Sequence, residues 1–221
     1  MKKIYPAVLF LSLFLCDLST QAQAFHKGAL LLSVSEGSTT AKYATSERSN
    51  MVKPTLKFSS EIDGLRDPFF IEFGLSDHWG IGLSSGNDIF NVDSKKYYGF
   101  NTMENKPIEV MTSEFTFDLN YHLYSSKRLD LSVYSSVGSF SVGFNEKAGE
   151  NTYNYKAKGG IVRTGAKLRY YFWKRLGVMF MWSTYSGNAS PKEGTSSFEG
   201  HHYATKITGR ATELGLCFRL F

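Results

Sequence analysis

The sequence predicts an all-β protein, an eight-stranded antiparallel up-and-down transmembrane β-barrel with short periplasmic turns and long extracellular loops. Three observations lead there. Apolar and polar residues alternate with period two over most of the chain, a pattern that only a strand resolves into two faces. The connections between those segments alternate strictly between short and long. Aromatic residues reach 15%, with 18 Phe and 13 Tyr, while hydrophobic residues stop at 42%. That mixture suits half-apolar strands with aromatic rims.

Residues 1–24 read as a secretory signal peptide. Lys2 and Lys3 lead an apolar run over 4–15, polar residues follow at 19–23, and Ala22-Gln23-Ala24 supplies the small-residue cleavage site. Cleavage after Ala24 leaves one barrel domain over 25–221. A lipoprotein would use Cys16, but Leu15 stands where such sites want a small residue. Cys217 is then the one cysteine of the exported chain, so no intramolecular disulfide contributes. The formal charge of +5 is too slight to argue for nucleic acid. Beyond the leader no stretch approaches the roughly 18 apolar residues of a membrane helix.

Strands are expected at 28–35, 68–75, 79–90, 111–123, 129–142, 160–172, 176–185 and 205–221, and 52–59 has enough strand character for a short ninth. The clearest is 111–123. Met111, Phe115, Phe117, Leu119, Tyr121 and Leu123 share one face, and Thr112, Glu114, Thr116, Asp118, Asn120 and His122 the other. Connections at 76–78, 124–128 and 173–175 are tight, whereas 36–67, 91–110, 143–159 and 186–204 are long and polar. All short turns therefore lie at one end with both termini, and all long loops at the other, as in outer-membrane barrels. Pro54, Pro68, Pro107 and Pro191 fall in loops or at a strand start, where no ladder hydrogen bond is lost.

Alternation also fits a soluble barrel with its apolar face inward, so the direction needs argument. Strands of about 11 residues are long enough to cross a bilayer when tilted. Aromatics gather near strand ends: Trp79, Tyr121, Tyr170, Phe172, Trp173 and Phe221 near the short turns, and Phe90, Phe140 and Tyr185 toward the long loops, two girdles at interfacial heights. The polar face carries Glu72, Glu114, Asp118, Asp130, Arg163, Lys167, Arg169, Glu213 and Arg219. Lipid exposure would cost each about 2–4 kcal/mol near the midplane, whereas inside an eight-stranded barrel, with room only for side chains, they can pair. The expected lumen is polar and largely plugged, and the inward parity of Gly74, Gly80, Gly82, Gly86, Gly138 and Gly165 leaves room for long partners to cross.

Lys27-Gly28, the turn Glu72-Phe73-Gly74-Leu75-Ser76-Asp77 running into Trp79-Gly80-Ile81-Gly82-Leu83, and the ending from Glu213 to Phe221 resemble small outer-membrane barrel proteins of the OmpA-, OmpX- and OmpW-like kind. In style they are similar to the barrel-domain proteins of Bacteroidetes. The resemblance covers nearly all of 25–221 as a pattern of strands and turns. It implies outer-membrane lipid and lipopolysaccharide as surroundings, and it implies that Phe221, with Leu216 and Phe218, forms the signal read by the barrel-assembly machinery. Arg219 departs from that pattern, which prefers an apolar or aromatic residue there.

Sites with chemistry are few, and no cofactor is implied. His201 and His202 with Glu199 could hold a metal, but neighbours in an extended segment point apart, so a solvated loop is the simpler reading. His122 shares a face with Asp118 and Asn120, with Asp130 and Ser132 on the next strand. No nucleophile motif surrounds it, so a satisfied lumen histidine is the simpler reading. Tyr97, Tyr98 and Phe100, and then Tyr153, Tyr155, Lys156 and Lys158, could bind surface ligands from the outer loops. The expected function is structural, surface-interacting or of limited, porin-like permeability. The alternatives are a lipid-modifying barrel enzyme and a soluble periplasmic barrel carrying an apolar ligand.

Overall fold

The computed structural model describes residues 23–49, 57–92, 108–148, 151–191 and 201–220. The leader through residue 22, Phe221, Tyr97, Tyr98, Phe100 and Glu199 lie outside the described residues, as do the side chains of Tyr153, Tyr155, His201 and His202. Nine strands form one antiparallel sheet: β1 Leu30–Ser49, β2 Lys57–Arg66, β3 Phe69–Gly74, β4 Trp79–Val92, β5 Ile108–Ser125, β6 Leu129–Ala148, β7 Asn151–Tyr171, β8 Leu176–Pro191 and β9 His201–Arg219. Successive strands pair except β2 and β3, and β1 closes the ring on β9 from Leu31 opposite Arg219 to Ser49 opposite His201.

The ring nonetheless has eight positions, because β2 and β3 share one. β3 pairs with the lower part of β1 and with β4, and β2 pairs with the upper part of β1 and again with β4. Pro68, which lacks the N–H that a continuous ladder needs, sits at the break. Inward parity runs straight through it: Ile62, Arg66, Pro68, Phe70, Glu72 and Gly74 are all buried or inward-facing.

The expected long connections are mostly strand. Residues 36–49 and 57–66 form a hairpin within the segment expected as one loop, and β6 and β7 pair through the expected loop up to Ala148 opposite Asn151. Pro191 is the last residue of β8, and His201 and His202 open β9. Ladder hydrogen bonds do not require an apolar face, so pairing continues where the lipid-facing pattern stops. A strand of 20 residues such as β6, rising about 3.3 Å per residue and tilted about 40°, stands roughly 50 Å tall against an apolar band of roughly 25 Å. About half the barrel therefore projects beyond the membrane.

The two halves have opposite phase. In the lower half Phe115, Phe117, Leu119, Phe180, Trp182 and Leu216 are exposed and the charged residues point inward. In the upper half β9 turns Ile207 and Ala211 inward and Lys206 and Arg210 outward, and β2 turns Ile62 inward between outward Glu61 and Asp63. Tyr43, Ile62, Phe90, Val110, Phe140 and Ile207 belong to one buried apolar cluster that fills the outer end of the barrel. This corrects the upper girdle. Phe90 and Tyr185, expected at the lipid interface, are inside, 0% and 5% exposed. Once the strand leaves the membrane its core must be apolar, as in a soluble barrel, so aromatics near the long loops face in. At the lower end Trp79, Tyr170, Phe172 and Trp173 do face outward, and Trp79 packs on half-buried Tyr121 with ring centroids 4.8 Å apart.

Candidate functional site: a charge-paired lumen closed at both ends

Residues 23–29 fold back across the short-turn end of the barrel. Gly28 takes a φ of 80°, a left-handed conformation that glycine adopts without strain, and exchanges hydrogen bonds with β3: Gly28 N–H donates to Gly74 O at 2.8 Å, and Gly74 N–H to Ala29 O at 2.8 Å. This turn delivers Phe25 into the mouth, where its ring stacks on His122 with centroids 3.3 Å apart and planes 7° off parallel. Phe25 is wholly buried.

Above Phe25 lies a tetrad drawn from four strands. His122 Nδ1 is 2.6 Å from Asp130 Oδ1, and Nε2 is 2.7 Å from Glu72 Oε1. Arg169 bridges the same carboxylates, donating to Asp130 Oδ2 at 2.8 Å and Glu72 Oε2 at 2.5 Å. Both ring nitrogens of His122 and the guanidinium of Arg169 thus face the same two carboxylates. Such mutual pairing in a site closed to water is what burial of charge requires.

The next tier up holds Lys167. Its ammonium donates to Asn120 Oδ1 at 2.9 Å and lies over the rings of Tyr134 and Phe70, 4.4 and 4.8 Å from their centroids. Asp118 accepts from Ser84 at 3.1 Å and from Thr116 at 2.9 Å. Higher still, Arg66 crosses the lumen and donates to Asp88 Oδ1 at 2.9 Å, to Glu213 Oε1 at 3.0 Å and to Glu114 Oε1. Arg163 holds the other oxygen of Glu114 at 2.9 Å and the Ser183 hydroxyl at 2.9 Å, and lies 4.4 Å from the centroid of the Tyr185 ring. Gly86 makes room for this crossing, since a Cβ there would stand 2.9 Å from Arg66 Nη2. Tyr185 and Thr39, 2.6 Å apart, separate this cluster from the apolar outer tier.

The sequence-derived lumen set is thus distributed rather than gathered. Glu72, Asp130 and Arg169 meet in the lower cluster, Glu114, Arg163 and Glu213 in the upper, and Asp118 and Lys167 between them. Arg219 points inward but meets no carboxylate among the described residues; it donates to the backbone carbonyls of Gln23 and Lys174 and lies over the Tyr171 ring. Its departure from the expected terminal pattern therefore has a local cause, because it ties the N-terminal segment across the mouth. Leu216 and Phe218 flank it on the outward face, 44% exposed and half-buried.

Sequence reasoning missed Arg66 and Asp88. Arg66 lay in a segment expected as loop, yet counting back by twos from Phe70 and Pro68 reaches it. His122 has both nitrogens engaged by carboxylates rather than by Ser132, and the described residues hold no group of three or more His, Cys, Asp or Glu placed for a metal.

No family model and no curated protein matches the sequence. Solved structures do resemble the fold. The outer-membrane protein OprG of Pseudomonas aeruginosa superposes with a TM-score of 0.54 at 13% identity, covering 88% of this chain and 97% of OprG. AlkL, determined in lipid bilayers, gives 0.47 at 13% identity over 92% of this chain and 95% of AlkL. Ail of Yersinia pestis gives 0.39 at 11% identity over 85% and 99%. The chain has the fold of a small outer-membrane β-barrel, and its exposed apolar belt is the surface such a wall presents to lipid.

Proposed function

We propose that the protein is an exported outer-membrane barrel that conducts nothing along its axis and works through its wall and its projecting outer half, in a structural or surface-interaction role. One observation carries this reading. From Phe25 to the apolar outer tier, the lumen is filled by buried side chains whose carboxylates and guanidinium groups pair across it, which favours a plugged rather than an aqueous barrel. Purified protein in planar bilayers is expected to give no steady conductance steps; a stable channel would overturn the proposal. The same charge pairing favours a non-enzymatic role over lipid modification, because His122 is committed to two carboxylates. The outward apolar belt disfavours a soluble barrel carrying an apolar ligand.

Export requires removal of the leader, and the N-terminal contacts bear on where it is cut. Ala24 is wholly buried beside Tyr171 and Cys217, its N–H donates to Ser126 O at 2.5 Å, and Gln23 O accepts from Arg219. A cut after Ala24 discards these contacts and places an ammonium on Phe25 at the mouth. A cut after Ala22, with Thr20 as the small residue two positions before it, keeps them. The intact mass of protein from outer membranes is expected to correspond to a chain starting at Gln23; a mass starting at Phe25 would show that the mouth closes without residues 23 and 24.

A further inference from the structure

Outward side chains above the apolar belt are sorted by charge around the barrel. On β2 and β5 the described outward positions carry Glu61, Asp63 and Glu109, and Lys42 of β1 stands between Glu61 on β2 and Thr208 on β9 in the ladder. On β7, β8 and β9 the described outward positions carry no carboxylate. Lys156 and Lys158 project from β7, and Lys206 and Arg210 from β9, all exposed. Between them β8 presents Thr184, Ser186, Asn188 and Ser190, also exposed and all uncharged hydrogen-bonding groups. The register seats the strip between the cations: Ser190 is opposite Lys158, Asn188 opposite Lys206 and Thr184 opposite Arg210. Two strand spacings put the cationic rails roughly 10 Å apart. Below Thr184 the strip continues without a break into Trp182, Phe180 and Val178, flanked by Leu214, Leu216 and Leu168, all exposed and at the height of the lipid.

We propose that this β7–β9 wall is a binding site for a phosphorylated glycolipid of the surrounding outer leaflet. Its phosphates lie on Lys158, Lys206 and Arg210, its sugar hydroxyls and amides meet the β8 strip, and its acyl chains run down the Trp182–Phe180 column. A leaflet lipid is favoured over a soluble polyanion because the cationic and apolar surfaces are continuous. Only a molecule with anionic head and apolar tail uses both. The face formed by β2 and β5, with three carboxylates above the same belt, repels such a head, so the barrel holds the lipid on one side.

The proposal rests on the outer-membrane placement given above, and the test keeps the two apart. The full-length mature protein is reconstituted in nanodiscs of zwitterionic phospholipid and titrated with purified lipid A, with its enzymatically dephosphorylated form, and with a soluble phosphorylated sugar. Bound lipid is counted by native mass spectrometry. Retention of lipid A is expected, with affinity falling about tenfold in the triple variant Lys158→Gln, Lys206→Gln, Arg210→Gln, three exposed contacts each worth a fraction of a kcal/mol. Lys127→Gln, in the short turn between β5 and β6 and far from the site, is expected to bind as the parent does. The lipid site is overturned if the folded triple variant binds like the parent, if Lys127→Gln loses as much, if removing the phosphates changes nothing, or if the soluble sugar competes on equal terms. Recovery of the native protein in the soluble periplasm would instead defeat the membrane placement.

Discussion

Replacing Arg66 with methionine is expected to lower the stability of the folded barrel by about 3–5 kcal/mol, the loss typical when one member of a buried ion cluster is removed. The guanidinium is wholly buried and is the shared partner of Asp88, Glu114 and Glu213. Without it, Glu114 keeps Arg163 and Asp88 keeps the Thr112 hydroxyl, while Glu213 keeps the Ser35 hydroxyl. That leaves three anions facing one cation in a space closed to water. Arg66→Lys restores the charge but not the three-way fork, since an ammonium is a point donor without the planar spread of a guanidinium. Its stability should therefore fall between parent and Arg66→Met. The urea midpoint, followed by the shift between folded and unfolded bands on unboiled gels, measures all three. A midpoint for Arg66→Met equal to that of the parent would mean that water reaches the cluster and the lumen is not sealed.

The second large effect comes from neighbouring residues on β9. Ile207→Asp places an unpaired carboxylate in the apolar outer tier and should cost more than about 3 kcal/mol, whereas Thr208→Asp, one residue on and facing outward, should stay within about 0.5 kcal/mol of the parent. Lower on the same strand the sensitivity changes sides. Leu216→Arg sets a cation against the lipid chains and should cost about 2–4 kcal/mol, while inward Cys217→Ser, a near-isosteric change beside polar groups, should be mild. Unfolding midpoints of the four variants test the reversal. If Thr208→Asp proved as damaging as Leu216→Arg, the apolar band would extend over the upper half and the change of phase would not mark the membrane surface.

The same reversal explains which parts of the fold were legible in the sequence. In β5, Phe115, Phe117 and Leu119 alternate with Glu114, Thr116 and Asp118, which only a strand with one apolar and one polar face accommodates. The eight ring positions and the tight turns followed from that pattern. Above the membrane both faces become mixed: β7 reads Lys156-Ala157-Lys158-Gly159-Gly160, and the small buried Ala157 carries little apolar signal, so paired strand looked like loop. Phe90 and Tyr185 were misplaced by the same step, because an aromatic near a strand end means an interface only if the strand stops there. The charged lumen residues were legible by parity alone. Their grouping into a lower tetrad and an upper cluster was not, since it depends on strand stagger around a closed ring. The role of Phe25 was hidden because nothing in its neighbourhood hints that a residue beside a leader turns back to cap His122.

The wiring of the upper cluster bears on how such a wall comes to be complete. Arg66 and Glu213 lie 147 positions apart in the chain, on β2 and β9. Arg66 and Glu114 are separated by 48 positions, and Arg163 and Glu114 by 49. A partly formed sheet, however many hairpins it has gained, holds Glu213 far from its cation and must keep that charge hydrated. Only the seam between the first and last strands brings the halves of the circuit together, and at that moment the water inside loses its reason to stay. Closure and drying are then one event, so an open curled sheet is wet and a finished ring is dry, with no stable half-sealed form between them.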